Sequence, residues 1–476
     1  HLTRPNVSGS NNPHALLDEK RFFSDSARSF CKLQSDILRR YAPAGQYITT
    51  NGVFSHLDSH AMTQESLDFI CYDSYPQFGN ALGAVDNGLF DRKWSGNLAQ
   101  VRSISPNFMV MEQQSGAGGW VTRMAAPMPK PGQMRLWTYQ SVAHGADIIS
   151  YFRWRTAAFG TEIYWHGLLG YDNRDNRRLA ELDRIRDEFD RVGRRLAGSR
   201  YVARCAILRD YDNEFDAEED GWLRPLVKQS ETAWLSAFQH AHIPYDYVYW
   251  SRDGLSADLS QYDFVVYPHP AILPEDRAAQ LRAYVEQGGQ LLFGARTGYK
   301  DLCGRCPMQP MPGYAADLVG ATVDDFTLIG PFDEPVAISL SGQVVEAPQF
   351  HDLLSVTTGQ AIGSFAGGWY DGRTAAVRND LGQGAAYYHG AAFTEASAQA
   401  YLAYLGIQGP LEGNLDLPRD VEVAIREKPG ARTVLLLNYS VQPQEIPCNT
   451  EWTNLLTGEP VSGALLLPGY GVALLG

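Results

Sequence analysis

A chain of 476 residues exceeds what one apolar core supports and predicts two to four domains. Hydrophobic residues make up 44% and charged residues 20%, which excludes a disordered or fibrous chain. A formal net charge of −14 repels nucleic acid and anionic membrane surfaces, so the expected partner is a neutral small molecule or another protein. No run approaches about 18 consecutive apolar residues, and residues 1–13 have neither the basic start nor the apolar core of a signal peptide. Cysteines at 31, 71, 205, 303, 306 and 448 are sparse and mostly fall in predicted helices or strands. That usage suits a reducing compartment, and a cytoplasmic location is expected.

In chain order, an amphipathic helix is predicted over Leu16–Ala42, followed by a strand over Gln46–Phe54. Leu67–Pro76 reads as a buried strand, Asn87–Ser103 as a helix and Asn107–Gln113 as a strand. Pro131–His144 reads as a helix opening on proline, and Ala146–Arg155 as the last strand of the set. The clearest helix carries Leu179, Leu182, Ile185, Phe189, Val192 and Leu196 at steps of three and four, with Gly198 just beyond. Alternating strands and helices imply a parallel sheet with right-handed crossovers, and polar groups at strand C-terminal ends imply a (β/α)8 barrel. Only four such strands are predicted, whereas closure needs eight. The chain also opens without Met in an Asn/Pro/Ser-rich stretch, so the first half of the barrel is expected to precede His1, itself an artificial or proteolytic edge.

From Tyr201 the pattern changes. Strands at Val202–Arg209, Tyr245–Trp250, Phe264–Pro268 and Leu291–Ala295, with helices at Thr232–His240 and Glu275–Gln287, predict a flavodoxin-like α/β domain with a strand-rich second half. Beyond Pro418, alternation at Val421–Arg426, Thr433–Tyr439 and Ala464–Leu467 predicts a small antiparallel β-sandwich. The expected division is 1–200, 201–408 and 409–476.

The segment 108–116 is an apolar strand ending in a single carboxylate, Glu112, with glycines close behind. A carboxylate at that address attacks an anomeric carbon when a second carboxyl about 5 Å away protonates the departing oxygen. A strand-end Glu in a structural hydrogen-bond network fits the same residues. The second strand ends Tyr72-Asp73-Ser74-Tyr75-Pro76, offering a phenol and a carboxylate that bind a hydroxyl or simply satisfy a core. Phe152-Arg153-Trp154-Arg155 leads into Glu162-Ile163-Tyr164-Trp165-His166-Gly167, a mix of aromatic faces and hydrogen-bonding groups that suits a sugar better than a phosphate, with a packing loop as the alternative. Glu162 and His166 share a metal-like spacing without HExxH or a third ligand, and Cys303-x-x-Cys306 stands alone, so no metal and no cofactor is predicted. The second domain lacks a nucleophile elbow, and subunit contact is its expected duty.

Met111-Glu112-Gln113-Gln114, Trp120, residues 130–137 (KPGQMRLW), Ala143-His144-Gly145-Ala146-Asp147 and Phe152-Arg153-Trp154-Arg155 together resemble the family 42 glycoside hydrolases, the barrel β-galactosidases of bacteria. The resemblance runs along the whole chain. It implies a retaining β-galactosidase, a galactoside substrate and a homotrimer. It places the nucleophile on Glu112, the tyrosine beside it on Tyr75, the active-site tryptophan on Trp120, and galactose contacts on Glu162 and His166. The Glu-to-His interval is four here against three in many members, which makes Trp165 an alternative for that contact. The family's general acid/base, a Glu after Asn, finds no match in the barrel part and is expected before His1, as is any zinc loop. Asn213-Glu214 lies in the second domain and is not carried over. Competing readings are a non-catalytic assembly or sugar-binding fragment, and a related α-L-arabinopyranosidase or galactan-acting enzyme.

Overall fold

The computed structural model describes residues 12–52, 56–77, 90–121 and 123–476. Pro13–Tyr41 is the predicted N-terminal helix; Asn12 caps it by accepting from the His14 amide, Pro13 fixes its first turn, and Arg39 and Arg40 sit in its last. A parallel sheet follows in the order Cys71–Ser74, Phe108–Gln114, Ala146–Phe152. The first predicted strand, Gln46–Phe54, is reduced among its described residues to a single parallel bridge. Cys71 N–H donates to Thr50 O at 3.0 Å and Gly52 N–H to Cys71 O at 3.2 Å, flanking the Asn51–Cys71 pair. Residues 53 and 54 lie outside the described residues, as do 87–89 at the start of the predicted helix, which is observed as Trp94–Ile104 behind a short 3-10 turn.

The helix Gln133–Ala143 is buried along its whole length, so its polar side chains must find internal partners. Asp91 Oδ2 accepts from both Gln133 Nε2 at 2.8 Å and Trp137 Nε1 at 2.9 Å. Arg135 Nε donates to Glu188 Oε2 at 2.7 Å, which Tyr139 also donates to at 3.0 Å. Glu188 lies on the closing helix Arg177–Leu196, which Asn176 caps and which ends at Gly198 with φ +68°, a conformation glycine adopts without penalty. The KPGQMRLW motif is thus structural framework: it locks this helix behind the strand that carries Glu112.

The second sheet has a parallel core in the order Tyr245–Ser251, Cys205–Asp210, Phe264–Tyr267, Gln290–Gly294, Gly384–His389. That is the 2-1-3-4-5 order of a flavodoxin-like fold. Antiparallel strands extend it beyond Gly384–His389. Two helices precede the second strand, Tyr211–Glu219 and Arg224–His240, where sequence periodicity predicts only the last part of the second. Asn213 bonds both ways to Ile272, and Glu214 pairs with Arg209 at 2.7 Å inside this core.

The C-terminal region departs from the expected pair of facing sheets. It is one six-stranded antiparallel sheet in the order Glu459–Leu467, Gln444–Asn454, Val472–Leu475, Ala431–Asn438, Val421–Lys428, Arg200–Tyr201. Its two flanks share one apolar cluster, from Val461 and Leu465 to Val423 and Ile425, so it curls over its own core and needs no second sheet. Its other face packs Ala424, Leu435 and Leu474 on Leu136, Val192 and Leu196 of the first unit. All three units meet at a buried polar joint. Arg102 Nη1 donates to His144 Nδ1 at 2.7 Å, and His144 Nε2 donates to Glu422 Oε1 at 2.9 Å. Arg102 also reaches Asp246 Oδ1 at 2.9 Å and Tyr245 O at 2.8 Å, while Glu422 Oε2 accepts from Ser95 and Tyr439.

The N-terminal helix lies on the second unit. Arg21 bonds Asp212 at 2.8 Å and Lys20 bonds Glu218, both acceptors on or beside the helix at the C-terminal end of Cys205–Asp210. No described helix is long and apolar enough to cross a membrane.

Candidate active site

Glu112 occupies the C-terminal part of Phe108–Gln114, where Val110 packs among Leu98 and Val101 of the neighbouring helix and Gln113 accepts from the helix residue Ser141, while Glu112 faces the cavity. Its carboxylate is half-buried. Tyr75, one residue past the neighbouring strand, donates its hydroxyl to Glu112 Oε2 at 2.6 Å. This distance marks a charge-assisted bond that fixes the carboxylate in one rotamer. Burial holds the Glu112 carboxyl above the usual carboxylate range; the Tyr75 bond opposes this, and the nearby Asp73 and Glu162 add to it.

Below and beside Glu112 the strand ends are laced together. Gln113 accepts from Ser141 Oγ at 2.8 Å, Gln114 donates to Gln77 Oε1 at 2.9 Å, and Ser115 Oγ donates to Phe152 O at 2.8 Å. Gly116 follows because nothing larger fits: a Cβ there would lie 2.3 Å from His166 O. Gly118 similarly leaves room for Trp165, whose ring would meet a Cβ at 3.0 Å. These absent side chains let the loop 153–171 close over the end of the Glu112 strand.

The result is a cavity of about 390 Å³ lined by Asn51, Asp73, Tyr75, Glu112, Trp120 and Glu162, with Tyr72, Trp94, Phe152 and Trp165 among its aromatic walls. Trp120 and Trp165 stack with centroids 5.2 Å apart, and Trp165 also packs 5.4 Å from Tyr75. Trp120 Nε1 donates to Glu162 Oε1 at 3.3 Å, and Arg153 Nη1 to Glu162 Oε2 at 3.2 Å, so Glu162 is held at the rim by a donor on each oxygen. Four of the five sequence-selected residues, Tyr75, Glu112, Trp120 and Glu162, thus converge. His166 does not line the cavity; its ring turns to Thr156 at 3.3 Å and sits edge-on to Tyr171, and Trp165 takes the place at the wall. Asn51 and Trp94 were not legible as site residues: Asn51 lies at a one-residue bridge, and Trp94 starts a helix whose register becomes meaningful only against the sheet.

Carboxylates on a cavity floor, aromatic walls and fixed donors at the rim suit a ligand with hydroxyls on one face and C–H groups on the other. Among the described residues no three His, Cys, Asp or Glu side chains are grouped to hold a metal ion. Cys303 and Cys306 are exposed free thiols and are not among the residues lining the cavity.

Three models of one family divide the chain: β-galactosidase over residues 2–192, β-galactosidase trimerisation domain over 203–411, and β-galactosidase C-terminal domain over 420–475. The chain belongs to the family 42 glycoside hydrolases. A β-galactosidase of Clostridium cellulovorans is 28% identical, matching 98% of this chain and 69% of its own length. One from Thermus thermophilus is 34% identical over 63% of this chain and 46% of its own. The solved structure of a β-galactosidase from the haloarchaeon Halorubrum lacusprofundi aligns with a TM-score of 0.86 at 28% identity, covering 99% of this chain and 70% of that one. As a member of this family the chain is a glycoside hydrolase, and the α/β architecture with its β-rich C-terminal region is the family's own.

Proposed function

We propose that the protein hydrolyses terminal β-D-galactosides with retention of configuration, Glu112 attacking the anomeric carbon to form a covalent galactosyl ester. The observation that carries this reading is the 2.6 Å bond from Tyr75 to Glu112 on the floor of a cavity walled by the Trp120–Trp165 stack. A nucleophile needs an ionised, immobile oxygen aimed at the substrate, and one donor on one carboxylate oxygen leaves the other free for attack. Trp120 and Trp165 offer stacking faces to the sugar ring, while Glu162, pinned by Arg153, accepts from its hydroxyls; His166 reaches the sugar only through a turn of its ring away from Thr156.

The protonating carboxyl in this scheme is a Glu preceding residue 1, on the first four strands of a barrel whose last four are residues 46–152. The three strands and the Asn51 bridge support that reading, since they run parallel in sequence order with their C-terminal ends at the cavity. The middle unit, 201–408, is proposed to join three copies, supported by its match to a trimerisation model; 1–200 carries catalysis and 409–476 buttresses it. Location in the cytoplasm and independence of cofactor, nucleic acid and membrane complete the proposal.

The test is hydrolysis of a nitrophenyl β-D-galactoside by this chain alone and by the chain joined to a segment supplying the preceding half-barrel. Loss of activity in Glu112→Gln, restored by azide as an external nucleophile, is the expected result. Activity indifferent to Glu112→Gln overturns the assignment, and none with the half-barrel present favours a non-catalytic role.

A further inference from the structure

The Glu112 strand and its neighbour do not pair evenly. Tyr72 lies opposite Val110, but Asp73 lies opposite Glu112, so the register skips Met111 through a bulge. Residues opposite one another in a parallel pair point to the same face, and here the shared face is the cavity. Two acidic side chains are thereby placed side by side on adjacent strands, a pairing that repels when both are charged. An unbulged register would set Asp73 against Met111 and send the carboxyls to opposite faces.

The surroundings of Asp73 are specified. Asn51 Nδ2 donates to Asp73 Oδ2 at 2.6 Å, whereas Asp73 Oδ1 is buried and has no hydrogen-bond partner among the described residues. Facing the pair are Tyr75, which donates to Glu112, Tyr72, which donates nothing to it and accepts from Asn97, and Cys71 on the same strand. The third carboxyl, Glu162, has its own cation in Arg153. Among the described residues no cation bonds or pairs with Asp73 or Glu112, so Asp73 acts on Glu112 uncompensated there.

We propose that Asp73 is a positioning carboxylate for Glu112, and that the bulge at Met111 places it there to set the pH range in which the nucleophile works. This rests on Glu112 being the nucleophile. Asp73 touches neither the anomeric carbon nor the leaving group; it works through the charge it holds beside Glu112, and Asn51 works through Asp73. With Asp73 ionised, Glu112 keeps its proton to higher pH. With Asp73 neutralised, Glu112 ionises earlier and the acidic limb of the reaction moves down.

The experiment uses the chain carrying the preceding half-barrel, with a 2-deoxy-2-fluoro-β-D-galactoside bearing a dinitrophenyl leaving group as a trap for the glycosyl ester. The second-order inactivation rate is followed against pH, and the labelled peptide is identified by mass. In Asp73→Asn the acidic limb is expected to fall by about one pH unit while the label stays on Glu112. Asn51→Ala, which removes the donor that keeps Asp73 ionised, is expected to move it the same way by less, and it decides the matter should Asp73→Asn fail to fold. Labelling of Glu112 with an unmoved limb in the folded variants overturns the proposal. A wild-type chain that is not labelled on Glu112 instead overturns the nucleophile assignment, and this proposal with it.

Discussion

Tyr75 shows how much one hydroxyl decides. It is buried, its ring is wedged against Trp165 and Phe152, and its hydroxyl donates to Glu112. Tyr75→Phe keeps the packing and deletes the donor, and a hydrogen bond to a charged group contributes about 1.5–3 kcal/mol. The expected loss in kcat/KM for a nitrophenyl galactoside is therefore roughly 10- to 150-fold. The same substitution moves the acidic limb upward, because the donor opposes the burial that raises the Glu112 carboxyl. A flat response in both readouts would mean that the bond in the free protein is not kept during reaction. Glu112 was legible from sequence because an apolar run that stops at one carboxylate before glycines is a local pattern. The His166 contact was carried over by position, and in this structure its ring lies against Thr156 and not among the cavity's lining residues.

Strands and helices explain which parts of the sequence announced themselves. The helix Arg177–Leu196 has one apolar stripe and a charged face, so its period is plain. Gln133–Ala143 is buried on every side, so periodicity says little about it, and its polar residues face framework rather than ligand. Glu188 gathers Arg135, Tyr139 and Arg184 there. Glu188→Ala leaves Arg135 charged and unpaired in the interior, and a stability loss of about 3–5 kcal/mol is expected in thermal or urea unfolding. Gly116→Ala forces a Cβ against His166 O, and a lower melting temperature together with weaker binding of galactose is expected, since relief of the clash displaces Trp165 with its loop. The strand at 46–52 was over-read, because an apolar run does not reveal how many of its residues find a partner strand.

Across the whole molecule, the joint of Arg102, His144, Asp246 and Glu422 ties three units that sequence reading can only list in order. Nothing local marks these residues as neighbours; His144 and Glu422 alone are 278 positions apart. Burial works against ionisation of Glu422, but His144, Arg92 and Tyr439 outweigh it and hold the carboxyl below its ordinary range. A depressed folded value means that this carboxylate stabilises the fold at pH above its unfolded value, and that the contribution is lost as pH falls through the folded one. Glu422→Gln is expected to flatten the acid-side fall of melting temperature and to lower the melting temperature at neutral pH, which calorimetry across pH reads directly. An unaltered acid slope would assign acid unfolding to other carboxylates. The seat of Lys20 and Arg21 on Glu218 and Asp212 has a different kind of consequence, for inheritance. This end of the flavodoxin-like sheet is covered by a helix from another unit. A chimera that exchanges the middle unit between relatives would import acids selected against a different helix, so the two segments are expected to be inherited together and to resist recombination between them.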